Sequence, residues 1–149
     1  MSDPLSIISG VVGVLSVCVK VGFALKEFYD GVSIVDTKSR GLITEVESFG
    51  GILQVLKDTL EQDRIRDSFQ ATGLIGNLWS SMATSIFDSQ NTIIQLQQIL
   101  EKANKTVRTL DATRKYLRLR GTAEEISIYQ QQIRSYRETL QLSLQTVVL

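Results

Sequence analysis

The chain of 149 residues contains no histidine, one cysteine and one proline. Without histidine it lacks the commonest general base and the commonest metal ligand together, so neither zinc nor imidazole catalysis is expected. The lone Cys18 sits among valines, where a thiol is inert, and it permits no intrachain disulfide. That argues for an intracellular protein over a stapled secreted one. An excess of one charge is also lacking: 16 Lys and Arg balance 16 Asp and Glu, leaving no global field to attract nucleic acid or an acidic substrate.

Other catalytic signatures fail on context. Gly10-Val-Val-Gly13 and Gly73-Leu-Ile-Gly76 have neither the lysine-serine ending nor the strand-to-helix setting of a phosphate loop. The carboxylate pairs Glu45 and Glu47, and Glu124 and Glu125, read as solvated surface charge or as part of a helix cap. No enzyme activity, cofactor, metal or small-molecule substrate is expected. The opening Met1-Ser-Asp-Pro4 places an acid where a secretory signal needs a basic region, so the segment behind it is expected to stay in the mature protein.

That segment is the most informative part of the chain. Leu5 to Leu25 is apolar except for Lys20, and roughly 20 residues suffice to cross a bilayer as a helix. Its valines also permit a strand, but its length decides for a helix. Asp3 is placed to cap it, Pro4 suits the first helical position, and Gly31 ends it after about Tyr29. Ser6, Ser9, Gly13, Ser16 and Lys20 recur every three or four residues as a narrow small-or-polar stripe, with Gly10 beside it. A helix apolar elsewhere belongs among other helices or in lipid.

Three more helices follow. From about Lys38 to Leu60 the seam is Leu42, Val46, Phe49, Leu53, Leu56 and Leu60, and Gly50-Gly51 in its middle marks a kink, a close helix neighbour or simply a tolerated weak point. After a charged connection with a helical turn around Ile65 to Phe69, a third helix shows the seam Trp79, Met82, Ile86, Ile93, Leu96, Leu100 and Ala103. Ser89 occupies one seam position there, so a buried Ser89 or Asn91 needs a hydrogen-bond partner across the bundle or in its own preceding turn. Thr122-Ala-Glu-Glu125 has the form of a capping box and predicts the start of a fourth helix, with the seam Ile126, Tyr129, Ile133, Tyr136, Leu140, Leu144 and Val147. That seam reaches the last residues without a stop signal, as expected of the N-terminal part of something longer or of a chain that ends by docking its tail. The expectation is an all-α single domain over 1–149, a bundle of four long helices with one or two short connecting helices.

One local charge bias stands out. Between Lys102 and Arg120 seven bases face only Asp111, interleaved with Tyr116, Leu117 and Leu119. Arg114, Lys115, Arg118 and Arg120 are the candidates for contact with an anionic membrane, where each base contributes about 1 kcal/mol. A solvated linker is the plainer reading of the same residues.

Asp3-Pro-Leu-Ser-Ile7 before a small-and-apolar helix, then Leu42-Ile-Thr-Glu-Val46 leading to Leu53, resembles the opening of the HeLo-like N-terminal domains of fungal STAND-type NTPases. Ser89-Gln-Asn-Thr92 before Leu96 and Leu100, and Tyr136-Arg-Glu-Thr-Leu140, resemble that family's later helices. A cysteine often present in the third-helix region of such domains is absent here. The resemblance implies the effector end of a fungal immune receptor, cytoplasmic at rest. On activation it would self-associate and insert its first helix into the plasma membrane to trigger programmed cell death.

Two functions compete for that helix. In the first it leaves the bundle, with Leu5, Ile8, Val12, Leu15 and Val19 entering lipid and Ser6, Ser9, Gly10, Gly13 and Ser16 letting inserted copies pack closely. Lys20 then snorkels to a headgroup. In the second the domain is an interaction or oligomerisation module and the helix is permanent core, its small residues marking where neighbours approach. A constitutive single-span protein fits less well, because valine and glycine insert weakly and no basic cluster directly flanks the segment.

Overall fold

Heptad spacing decides the architecture. In the computed structural model, which describes residues 4–30, 37–62 and 73–148, four helices account for nearly everything: α1 (Pro4–Asp30), α2 (Thr37–Leu60), α3 (Gly73–Val107) and α4 (Ala112–Val148). There is no strand among the described residues. The buried positions of α1 are Ile7, Val11, Val14, Cys18, Val21, Leu25 and Phe28, alternating steps of four and three. Leu42, Val46, Phe49, Leu53, Leu56 and Leu60 do the same in α2. In α3 the buried series runs from Trp79 through Met82, Ile86, Ser89, Ile93, Leu96, Leu100 and Ala103 to Val107. Such seams favour shallow crossing angles and a bundle of long, nearly aligned helices.

The helices do not follow chain order around the bundle. α1 packs mainly on α2 and α3, and α4 on the same two, so the ring order is α1, α2, α4, α3. α1 and α3 rise side by side in the same direction: Gly10 faces Ile86, Gly13 faces Gln90, and Ala24 meets Asn104. α2 and α4 also run together, since Gly41 faces Gln130 and Glu45 meets Arg134 and Arg137. α3 and α4 run in opposite directions, with the Thr92 and Tyr136 hydroxyls 3.2 Å apart. The bundle therefore consists of two parallel pairs laid against each other.

Several sequence expectations change. α4 begins at Ala112, ten residues before the capping box at Thr122. Asp111 is the cap: its Oδ1 accepts from the Arg114 amide at 2.9 Å and its carbonyl from the Lys115 amide at 2.8 Å. The helix runs through Gly121 because Leu119, Thr122 and Ile126 continue the buried seam, and that burial outweighs about 1 kcal/mol of glycine penalty. Thr122 is thus a buried mid-helix residue.

Gly50 and Gly51 mark no close approach, because a Cβ at either would meet nothing within 4 Å and α2 is continuous. Ser89 is fully buried and donates to the Ile86 carbonyl at 2.7 Å, the bond to the preceding turn that the sequence calls for, while Asn91 is exposed. The turn expected at Ile65 to Phe69, the cap at Asp3 and the stop at Gly31 lie outside the described residues.

Candidate functional site

α1 has two apolar faces and the bundle covers only one. The stretch Ser6–Tyr29 is long and apolar enough to cross a membrane, yet only 28% of its 18-residue apolar window is buried. This corrects the expectation that Leu5 to Leu25 is enclosed at rest: α1 is one side of a ring of helices, and a perimeter helix cannot bury its whole circumference. Val12, Val19 and Phe23 lie on the outward stripe, Val19 59% and Phe23 70% exposed, with Ile8 and Leu15 half-buried beside them. Four membrane candidates read from the sequence, Ile8, Val12, Leu15 and Val19, therefore share one outer face. Phe23 extends it, although the sequence reading had omitted it; its place four residues after Val19 was the available signal.

The small-residue stripe splits between two roles. Gly10 and Gly13 face α3, where a Cβ would stand 3.3 Å from the Ile86 side chain and 3.4 Å from that of Gln90. These two positions let α1 and α3 approach closely. Ser6, Ser9 and Ser16 are exposed, as is Lys20; Ser9, Ser16 and Lys20 flank the outer apolar stripe, whereas Ser6 lines the cleft between α1 and α3. Gly10, Gly13 and Ser6 are thus the members of the stripe that lie beside α3.

Beside the outer stripe an apolar groove of about 350 Å³ runs between α1 and α2, lined by Leu15, Cys18, Val19, Gly22 and Phe23 facing Val46 and Gly50. Gly22 and Gly50 have open space where side chains would stand, which explains the groove. Lys26 and Glu47 sit at its edges. Burial pushes the Cys18 thiol up to about 12, so it stays protonated and unreactive at neutral pH.

The inner face is held by more than apolar packing at one end. Asn104 of α3 donates its side-chain amide to the Ala24 carbonyl at 3.1 Å, and Arg108 pairs with Glu27. Both bonds lie in the C-terminal part of α1; its first half meets α3 at the two glycines and beside a cleft of about 260 Å³ lined by Ile7, Ala83, Ile86 and Phe87.

On the opposite side of the bundle, Glu45 overturns its reading as solvated surface charge. It is only 5% exposed and accepts from Arg137 Nε at 2.6 Å and Arg134 Nε at 3.2 Å. A carboxylate taken from water needs such partners, and α4 supplies two a single turn apart. Glu47 is exposed, as expected.

The basic segment is helical. Its bases span the last turns of α3, the connection 108–111 and the first turns of α4. Arg114 and Arg118, four apart, share a face; Arg120 projects from another, and Lys115 is half-buried. The four lipid candidates therefore form a band around one end of the bundle, the end where α1 finishes, with Tyr116 and Leu117 exposed among them.

The fold can now be set beside known proteins. A family described as the pigment biosynthesis cluster protein PigL N-terminal domain matches residues 2–149. The chain belongs to this family. The PigL N-terminal family is a fungal helical domain, in keeping with the bundle described above. No curated protein matches the chain, and no solved structure does.

Proposed function

We propose that this PigL-type domain is a non-enzymatic effector of HeLo-like kind, the signalling end of a fungal immune receptor-like protein. On activation it self-associates at the plasma membrane and inserts α1, triggering programmed cell death. The observation that carries the reading is the uncovered outer face of α1, where Val12, Val19 and Phe23 lie in water on the one helix, among the described residues, apolar enough to span a bilayer. At 27 residues α1 is about 40 Å long, more than the roughly 30 Å hydrocarbon core.

Magnitudes favour a triggered event over a spontaneous one. Stripping Ile7, Val11, Val14, Val21, Leu25 and Phe28 from the core into water costs on the order of 10 kcal/mol, comparable to the whole stability of a domain. Transfer into lipid keeps those side chains dry, so a membrane removes most of that cost. Lys20 at mid-membrane costs about 2.5–3.5 kcal/mol, less if its amine reaches the headgroups. The basic band lies at the end where α1 finishes, so cations at the headgroups and a swing of α1 about its C-terminal end are geometrically compatible.

A second reading has its own support. The bonds from Asn104 to Ala24 and from Arg108 to Glu27 tie α1 to α3. With α1 fixed, its outer face and the groove beside it become an interaction or oligomerisation surface.

Liposome flotation of the domain, alone and clustered through a fused oligomeriser, separates the two. The membrane reading expects clustered wild type to float and Val12→Glu to stay in solution with an unchanged melting temperature. Clustered, folded wild type that ignores liposomes contradicts it; oligomers that form without lipid and are lost in Val12→Glu support the second.

A further inference from the structure

The outer stripe of α1 and the groove beside it form one surface that carries both a projection and a recess. Phe23 is the projection, 70% exposed on α1. The recess lies between the helices, where Gly22 and Gly50 leave open space at the positions of their missing side chains and Val46 supplies an apolar base. A cavity of about 150 Å³ is enough to hold benzene, and the groove offers about 350 Å³. An aromatic ring brought from outside therefore fits beside Phe23.

The charges at the rim say what brings it. Lys26 stands on the α1 bank of the groove and Glu47 on the α2 bank, both exposed and neither in an ion pair with a described residue. A surface with a cation on one bank and an anion on the other is complementary to itself after a half-turn. A two-fold axis along the helices lays α1 of each copy over α2 of the other at the same height. That operation sets Phe23 over the second copy's Gly50 and Lys26 beside its Glu47, twice per dimer. A lipid surface offers Glu47 no such cation.

The face is also large enough. α2 has 24 residues and is about 36 Å long, and two packed helices present a width of about 20 Å. That is on the order of 700 Å² per copy, close to the roughly 800 Å² per partner of a stable complex. We propose that the domain forms a two-fold dimer in water through its α1–α2 face, with Phe23 of each copy seated in the groove of the other. The proposal rests on the reading of this face as an interaction surface and concerns the resting bundle, before any membrane is met. Dimer formation covers the stripe that insertion uses, so the two events exclude each other on one copy.

Sedimentation equilibrium of the 149-residue chain without lipid tests the proposal. Wild type is expected to dimerise at micromolar concentration. Gly50→Leu fills the groove without crowding its own fold, and is expected to weaken the dimer at least about tenfold while leaving the melting temperature of dilute protein unchanged or higher. Lys26→Glu and Glu47→Lys, each alone, are expected to weaken it about three- to tenfold, and an equal mixture of the two variants to return within about threefold of wild type, because each unlike pair is then restored. A wild type that stays monomeric, a Gly50→Leu dimer as tight as wild type, or a mixture no tighter than its components overturns the proposal. Liposome flotation keeps it apart from the membrane reading: a monomeric chain that floats when clustered overturns only the dimer, and a dimeric one that ignores liposomes when clustered supports the dimer and overturns only insertion.

Discussion

The two parallel helix pairs are built from different materials. α2 and α4 are joined by a buried carboxylate held between two arginines, a contact with fixed geometry and little tolerance for sliding. α1 and α3 are joined by a largely apolar seam that closes over Gly10 and Gly13, with the bonds of Asn104 and Arg108 toward the far end. A seam without charges loses little when its apolar side is moved from protein to lipid, whereas Glu45 would lose its partners. In the proposed function α2–α4 serves as the frame and α1 is the piece that changes surroundings.

The largest expected effect tests the seam. Leu25→Ala removes a fully buried side chain of α1 and should cost about 2–5 kcal/mol in urea denaturation. A cost under about 1 kcal/mol would mean that α1 contributes little to the resting core. Next comes the frame: Glu45→Ala should cost about 2 kcal/mol, below the usual toll for a broken buried pair because Arg134 and Arg137 retain access to water. If Glu45→Ala instead loosens α1 while leaving α4 protected in hydrogen exchange, the assignment of frame and mobile piece is reversed.

Smaller effects refine the contrast. Asn104→Ala should cost about 1 kcal/mol and speed amide exchange in the C-terminal half of α1 more than in α2. Gly51→Ala, with open space at its Cβ, should raise stability by about 0.5–1 kcal/mol. Gly10→Ala gains the same helix propensity but must displace the Ile86 side chain 3.3 Å away, so it should fall short of Gly51→Ala in thermal melts. Equal gains at the two glycines would mean that the α1–α3 contact is looser than described.

Much of the architecture was legible because heptad seams need only apolar residues at the right spacing. The seams of α2 and α3 read directly, and Ser89 announced its own bond by breaking one. The inner seam of α1 was present too, at Ile7, Val11, Val14, Cys18, Val21, Leu25 and Phe28. It was hidden because the outward positions are also apolar, so hydrophobicity alone could not tell the covered face from the bare one. Thr122 misled because a capping box states a local preference that the seam through Leu119 and Ile126 overrode. The partners of Glu45 were illegible for another reason: they lie 89 and 92 residues away, and no local pattern announces a pairing between helices that distant.

The central claim is that the outer stripe of α1 is a working surface. Dye leakage from liposomes by the clustered domain, comparing wild type with the double variant Val19→Glu and Phe23→Glu, tests it most directly. Both residues are exposed, so the double variant should melt as wild type does, within about 0.5 kcal/mol. The account predicts leakage by wild type and none by the double variant; equal leakage from the two proteins, both folded, would contradict it.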